Sequence, residues 1–234
     1  MIPTLNEEES IADVIGSVPP DSVNEIIVVD SGSTDRTVER ARAAGARVVI
    51  ERERGYGRAC HAGAMAADCD VLVFLDGDGS DCPELIPMLL EPVLAGRQDF
   101  VIGSRTRGER EPGSMSAHQI FAGHLAGVAI RLLYGVRYTD MCPFRAIRRD
   151  ALLRLGMRER TYGWNLEMQM RAARARLRIL EVPVTHRRRA GGRSKVSGSL
   201  RGTIKASWRI VLTFARIACE GAERRAVIAG RQTP

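Results

Sequence analysis

Asp76 and Asp78 stand two residues apart, flanked by Gly77 and Gly79, directly after the apolar run Val71–Leu75. Such an order places two like charges at the open end of a buried strand, where each carboxylate raises the pKa of the other. A divalent cation removes that conflict. Hard oxygen ligands suit Mg2+ or Mn2+, and these ions complete their shells with phosphate oxygens and water. The glycines permit a tight backbone and close approach of a ligand. Asp76 and Asp78 are therefore read as metal ligands. Asp81, just ahead of Pro83, is read differently, as the N-cap of the next helix.

The elements that must hold these carboxylates follow from periodicity. Short Val/Ile-rich runs at residues 25–30, 47–50, 71–76 and 100–103 read as buried strands. Between them lie segments with apolar residues at helical spacing, one with a start at Ser33 and Thr34 and a stop at Gly45. Strand–helix alternation implies an α/β fold with a parallel sheet and helices on both faces, which binds ligands at the carboxyl ends of its strands. Asp30 and Asp76 both fall there. Met1 and Ile2 read as the end of a first strand. Beyond Phe100–Gly103, residues 105–116 are polar and breaker-rich and read as a mobile loop. A long helix (117–134), a strand and short helix in PFRAIRRDALLRLG, a helix in GWNLEMQMRAARAR and a strand closed by Pro183 come next. A Gly/Ser/Arg loop then leads to a last amphipathic helix, with Ile204, Trp208, Val211, Leu212 and Ala215 on one face.

The 234 residues carry a net charge of +7, unevenly spread. From Val182 to Cys219 there is no acid and a charge of +9, and residues 220–234 add +1, which leaves the first 181 residues at −3. A mildly acidic domain with a basic tail attracts phosphate, whether on nucleic acid, an anionic membrane surface or a phosphorylated substrate. No run of eighteen apolar residues and no apolar leader follows the acidic start, so the expectation is a cytoplasmic protein, with peripheral contact at the inner face of the membrane left open. Five scattered cysteines fit reduced thiols. The four histidines, His61, His118, His124 and His186, look too dispersed to be metal ligands.

Six collinear blocks carry a resemblance: IPTLNEEESI, VVDSGSTDRT, RGYGRACHAGAMAA, VLVFLDGDGS, VIGSRTRG and DMCPFRAIRRDAL. In this order and spacing the chain resembles the family 2 glycosyltransferases over roughly residues 2–218. GWNLEMQMRAARARLRILEVPV followed by RRRAGGRSKVSGSLRG is similar to the dolichyl- and polyprenyl-phosphate sugar synthase branch. The resemblance implies a GT-A fold, a parallel or mixed sheet flanked by helices: a nucleotide-sugar-binding half (1–104), an acceptor half (105–198) and a C-terminal helix (199–218) in one domain, with a polar tail at 219–234. It implies that Pro3, Thr4, Asn6, Glu7 and Asp30 bind base and ribose. Asp76 would join them and share the metal with Asp78, the likelier direct ligand, and with Ser80. Arg58, behind the partial glycine loop Gly55–Gly57 and ahead of a helix, is assigned to phosphate or ribose. It further implies Arg105 near an acceptor phosphate, Asp140 and Glu167 as candidate general bases, and Arg189, Arg193, Ser194 and Lys195 in a loop closing over donor and acceptor phosphates. If the acceptor is already an anion, Asp140 orients groups instead of taking a proton. The chain departs from that pattern at Ser31, at Ser80, at His118 where a second acceptor arginine is expected, and in lacking a transmembrane pair after the catalytic domain.

The function expected is inverting transfer of a sugar from a UDP- or GDP-sugar to polyprenyl phosphate or another lipid, with Mg2+ or Mn2+. A nucleotidyltransferase shares the strand–aspartate–metal logic, but would carry a Gly-rich basic loop where this chain has TLNEE. A nucleic-acid binder would leave the aspartates unexplained, and 5% aromatic residues are few for base stacking. Trp164 could line the acceptor site, and the last helix could lie on the domain or on a membrane.

Overall fold

The computed structural model describes residues 1–191 and 211–220. The order is β1 (Ile2–Thr4), α1 (Ile11–Gly16), β2 (Ile27–Asp30), α2 (Thr37–Ala43), β3 (Arg47–Ile50), α3 (Tyr56–Ala66) and β4 (Val71–Phe74). It continues with a 3-10 turn (Pro83–Leu85), α4 (Ile86–Leu94), β5 (Phe100–Ser104), α5 (Ala117–Tyr134), β6 (Arg145–Arg148), α6 (Arg149–Leu155), α7 (Trp164–Arg174) and β7 (Ile179–Pro183). Residues 211–220 are helical. The four strands read from Val/Ile runs all form, because branched side chains suit a pleated surface buried on both faces.

β1, β2 and β3 pair in parallel, with Val28 opposite both Ile2 and Val48. β4, β6, β5 and β7 follow in that spatial order. Met1 joins the two sets: its N–H donates to the Val73 carbonyl at 2.8 Å, and its own carbonyl accepts from Leu75 N–H. The second sheet is mixed, as a GT-A fold implies: β6 inserts antiparallel between β4 and β5, with Ala146 opposite Val73 and Val101. α3 packs on β1 and β2, while α4 packs on β4, β5 and β6. A single apolar core runs from Ile2 through Phe74, Phe100, Phe144 and Trp164 to Ile217.

Two loop expectations change. α2 starts at Thr37, not near Ser33, because the Asp35 carboxylate accepts Thr37 N–H at 3.0 Å. Residues 105–116 are tied down on one side: Glu111 N–H donates to the His186 carbonyl and His186 N–H to that of Glu109. α5 ends at Gly135 in the left-handed region, and Gly127 lets it lie on the Tyr138 carbonyl closer than a Cβ allows. No helix among the described residues is long and apolar enough to cross a membrane.

Candidate active site

The site lies where β1, β2 and β4 end. At the β1 end, Thr4 is buried, with Pro3 beside it in the strand. Asn6 adopts a left-handed φ of 54°, takes Thr34 N–H on its side-chain oxygen and gives its own N–H to the Ser33 hydroxyl. Asp30 closes the β2 end: its Oδ2 accepts Gly32 and Ser33 N–H at 3.0 and 2.9 Å, and its Oδ1 accepts the Ser33 hydroxyl. These bonds stitch the β1–α1 and β2–α2 loops into one rigid wall. Pro3, Thr4, Asn6, Glu7 and Asp30 are thus brought together.

At the β4 end, Asp78 accepts the Ser80 N–H and hydroxyl on Oδ1 and pairs with Arg189 through Oδ2 at 2.7 Å. Ser80 therefore orients Asp78. Asp76 keeps one buried oxygen, Oδ1, without a hydrogen-bond partner. Asp81 is not a helix cap. It is buried, its Oδ2 accepts Asp76 N–H at 2.9 Å and its Oδ1 is unpartnered, while Cys82 precedes the turn at Pro83. His186 Nδ1, also buried and unpartnered, lies 3.9 Å from Asp81 Oδ1. His186 thus lies at the site, beside Asp81.

The charges explain why these atoms are strained. Burial, then the charges of Asp78 and Asp81, push the Asp76 carboxyl well above the usual range. Burial pushes Asp81 up to about 7. Burial and the nearby Arg105 charge bring His186 down to about 4, so its imidazole is neutral near pH 7 and able to ligate a metal. Orphaned oxygens on two carboxylates, beside a neutral imidazole nitrogen, fit a divalent cation. Among the described residues no three such groups converge as a complete site, so a cation held here would need further ligands from phosphate and water.

Arg105 and Asp140 face each other across a paired contact. Arg105 Nε and Nη2 reach Asp140 Oδ2 and Oδ1 at 2.7 and 2.8 Å, and Arg105 N–H adds a third bond at 3.0 Å. Burial pushes the Asp140 carboxyl up, but the Arg105 bonds and charge outweigh it and hold it below the ordinary range. So weak a base orients Arg105 instead of accepting a proton. Gly123 of α5 sits against this carboxylate, 3.7 Å from Oδ1 to a Cβ built there.

Three expected site residues are placed elsewhere. Glu167 is fully buried and both its oxygens are engaged, Oε2 by the N–H groups of Arg158 and Glu159, Oε1 by Arg171 and Arg216. It is the hub of an ion-pair network that docks the 211–220 helix, helped by Thr213 on Glu159 and by buried Ile217. That helix accordingly packs on the domain, with Val211 and Leu212 outward. Arg58 pairs with exposed Glu53 at 2.7 Å. The first N–H groups of α3 are taken by the Thr161 and Arg160 carbonyls, and a Cβ on Gly57 would stand 2.6 Å from the Glu159 carbonyl oxygen. The glycines of this loop let it pack closely on residues 159–161. Trp164 is core, edge-on to His61. Arg189 is in the site; Arg193, Ser194 and Lys195 lie outside the described residues.

The family model described as Glycosyl transferase family 2 matches residues 1–156. An undecaprenyl-phosphate mannosyltransferase of Micrococcus luteus is 36% identical over 86% of this chain and 88% of its own. A polyprenol monophosphomannose synthase of Mycolicibacterium smegmatis is 34% identical over 85% of this chain and 80% of its own. Among solved structures, a glucosyl-3-phosphoglycerate synthase from Mycobacterium tuberculosis, in complex with Mn2+, UDP and glucosyl-3-phosphoglycerate, superposes with a TM-score of 0.74 at 27% identity. That match covers 93% of this chain and 78% of the other.

Proposed function

The chain belongs to the family 2 glycosyl transferases, and from that premise we propose that it moves a hexose from a nucleoside-diphosphate sugar to the phosphate of a polyprenyl lipid, with inversion at the anomeric carbon. The observation that carries the reading is the pair of buried carboxylates after β4, Asp76 and Asp81, each with an oxygen that has no hydrogen-bond partner. Asp76 and Asp78 would hold Mg2+ or Mn2+, with His186 beside Asp81. When bound, the cation stabilises the charge that develops on the diphosphate as the glycosidic bond breaks.

The chain's own residues do the rest. Asn6 and Asp30 fix the two loops against which base and ribose lie. Ser80 holds the Asp78 carboxylate in one orientation. Asp140 presents Arg105 to the acceptor phosphate, and a planar guanidinium suits that group because it offers paired donors. A phosphate monoester is already an anion at neutral pH and needs no base to attack the anomeric carbon. This accords with Asp140 held ionised and engaged.

A lipid acceptor is supported by the outward face of α5. Phe121, Leu125, Val128 and Leu132 are exposed on the helix that packs against Asp140 through Gly123. No acid occurs between Met115 and Tyr138, while Arg131 and Arg137 lie toward its end, a pattern that suits peripheral contact with an anionic bilayer. The test is a panel of UDP- and GDP-sugars offered with polyprenyl phosphate or with phosphoglyceric acid, with and without Mn2+. Mn2+-dependent transfer to the lipid, abolished in Asp78→Ala with an unchanged melting curve, is the expected result. Transfer to the small acid alone would overturn the acceptor assignment, and full activity in Asp78→Ala the metal site.

A further inference from the structure

Three consecutive arginines after β7 form a strap across the donor site. Arg187 pairs with Glu84 in the 3-10 turn ahead of α4; Arg188 gives its N–H to Glu111 and its guanidinium to the Pro112 carbonyl. Arg189 reaches Glu7 through Nη2 and Asp78 through Nη1, each at 2.7 Å. The strap backbone is registered on the β4 exit loop: Arg187 N–H donates to the Ser80 carbonyl and Ala190 N–H to the Asp78 carbonyl at 3.0 Å. Gly79, with φ at +77°, makes room for it, since a Cβ there would meet the Ala190 Cβ at 3.2 Å. The guanidinium of Arg189 is a delocalised +1 charge, 27% exposed, on the carboxylate oxygen that a divalent cation would take.

We propose that Arg189 is a resident counter-ion for Asp78, which the cation–donor complex must displace, so that cation and donor load together and the cation alone binds poorly. The inference rests on the donor-site reading above. Two positive charges cannot share Asp78 Oδ2, and the guanidinium is already seated between two carboxylates. A nucleoside diphosphate changes the balance. It supplies oxygens to the cation and an anionic partner to the released guanidinium, so Arg189 trades one charge-assisted bond for another. A cation arriving alone offers Arg189 nothing in exchange. If the closed arrangement is populated about nine parts in ten, the apparent affinity for the cation alone falls roughly tenfold.

The experiment is Mn2+ titration of the nucleotide-free protein by calorimetry or electron paramagnetic resonance, repeated with UDP. Wild type is expected to bind Mn2+ weakly alone and more tightly with UDP. Arg189→Gln and Arg189→Ala should each strengthen nucleotide-free binding about tenfold and reduce the gain from UDP, while Arg189→Lys, which keeps the charge, should stay near wild type. Unchanged or weaker nucleotide-free binding in both neutral variants overturns the counter-ion role. Asp78→Asn separates the two levels. If it removes Mn2+ binding while the neutral variants gain nothing, only the counter-ion role fails. If Mn2+ and UDP bind to it as to wild type, the metal site itself is elsewhere.

Discussion

Replacing Gly57 by alanine separates two uses of a glycine loop, cradling a phosphate and admitting a neighbouring backbone. Gly57 lies in the first turn of α3, where its φ is not in the left-handed region, so alanine suits the local conformation and gains up to about 1 kcal/mol of helix propensity. The added Cβ, however, would stand 2.6 Å from the Glu159 carbonyl oxygen and 2.8 Å from the Arg160 carbonyl carbon. Both are backbone and cannot rotate away. Overpacking of that kind costs about 1–3 kcal/mol. Retreat of the 159–161 segment also breaks the bonds from Gly57 and Arg58 N–H to Thr161 and Arg160, at 3.2 and 3.0 Å, worth about 1 kcal/mol each. Clash and lost bonds overlap, so the net destabilisation is about 2 kcal/mol. In a domain of this size that lowers Tm by roughly 4–8 °C. The assays are thermal melting and UDP binding measured well below Tm. The expected result is the lower Tm with UDP affinity within twofold of wild type. An unchanged Tm with UDP affinity reduced tenfold would refute the packing argument and return the loop to the phosphate.

Other perturbations test the remaining parts. Glu167→Ala removes the carboxylate shared by Arg171, Arg216 and two main-chain N–H groups, leaving Arg171 only Glu220, and should cost about 3 kcal/mol by urea unfolding; loss of activity per folded molecule would restore a catalytic role. His186→Ala should weaken Mn2+ binding in the presence of UDP by roughly tenfold, the size expected for one lost ligand or its orienting partner, and an unchanged affinity would remove it from the site. Asp140→Asn should raise the acceptor KM more than the donor KM, because Arg105 loses the carboxylate that aims it. The same variant tests the acid limb of stability. A carboxyl held below its ordinary value stabilises the fold above about pH 4 and loses that contribution as pH falls through the folded value. Asp140→Asn should therefore be less stable at neutral pH and lose less on acidification than wild type. Parallel pH curves would contradict the pairing.

The nucleotide side of the fold was legible because its signals are local. Two of the Val/Ile runs end at site residues, and both Asp30 and Asp76 follow from strand exit alone. The acceptor side was not, because its partners are far apart in the chain. Nothing near Asp140 announces Arg105, 35 residues earlier, and nothing near Glu167 announces Arg216, 49 residues later. Carboxylates at such positions look alike until their donors are counted. Asp81 was misread because a carboxylate before Pro83 has the local signature of a cap, while its burial is tertiary. His186 carried a usable signal: it stands three residues after the end of β7, at the same kind of strand exit as the aspartates.

The antiparallel β6 has a consequence for how the chain reaches this state. β4 and β5 do not touch as partners; each pairs with β6, which arrives only after the eighteen-residue α5. A nascent chain that has emerged no further than α5 therefore presents two apolar strands with unsatisfied main-chain groups along facing edges. Such edges recruit strands from other chains. Closing them requires threading residues 145–148 into a gap already flanked on both sides, a non-local step of the sort that slows folding. Solubility during synthesis should thus respond to substitutions in β6 more sharply than to substitutions of equal size in β3, which adds to an outer edge.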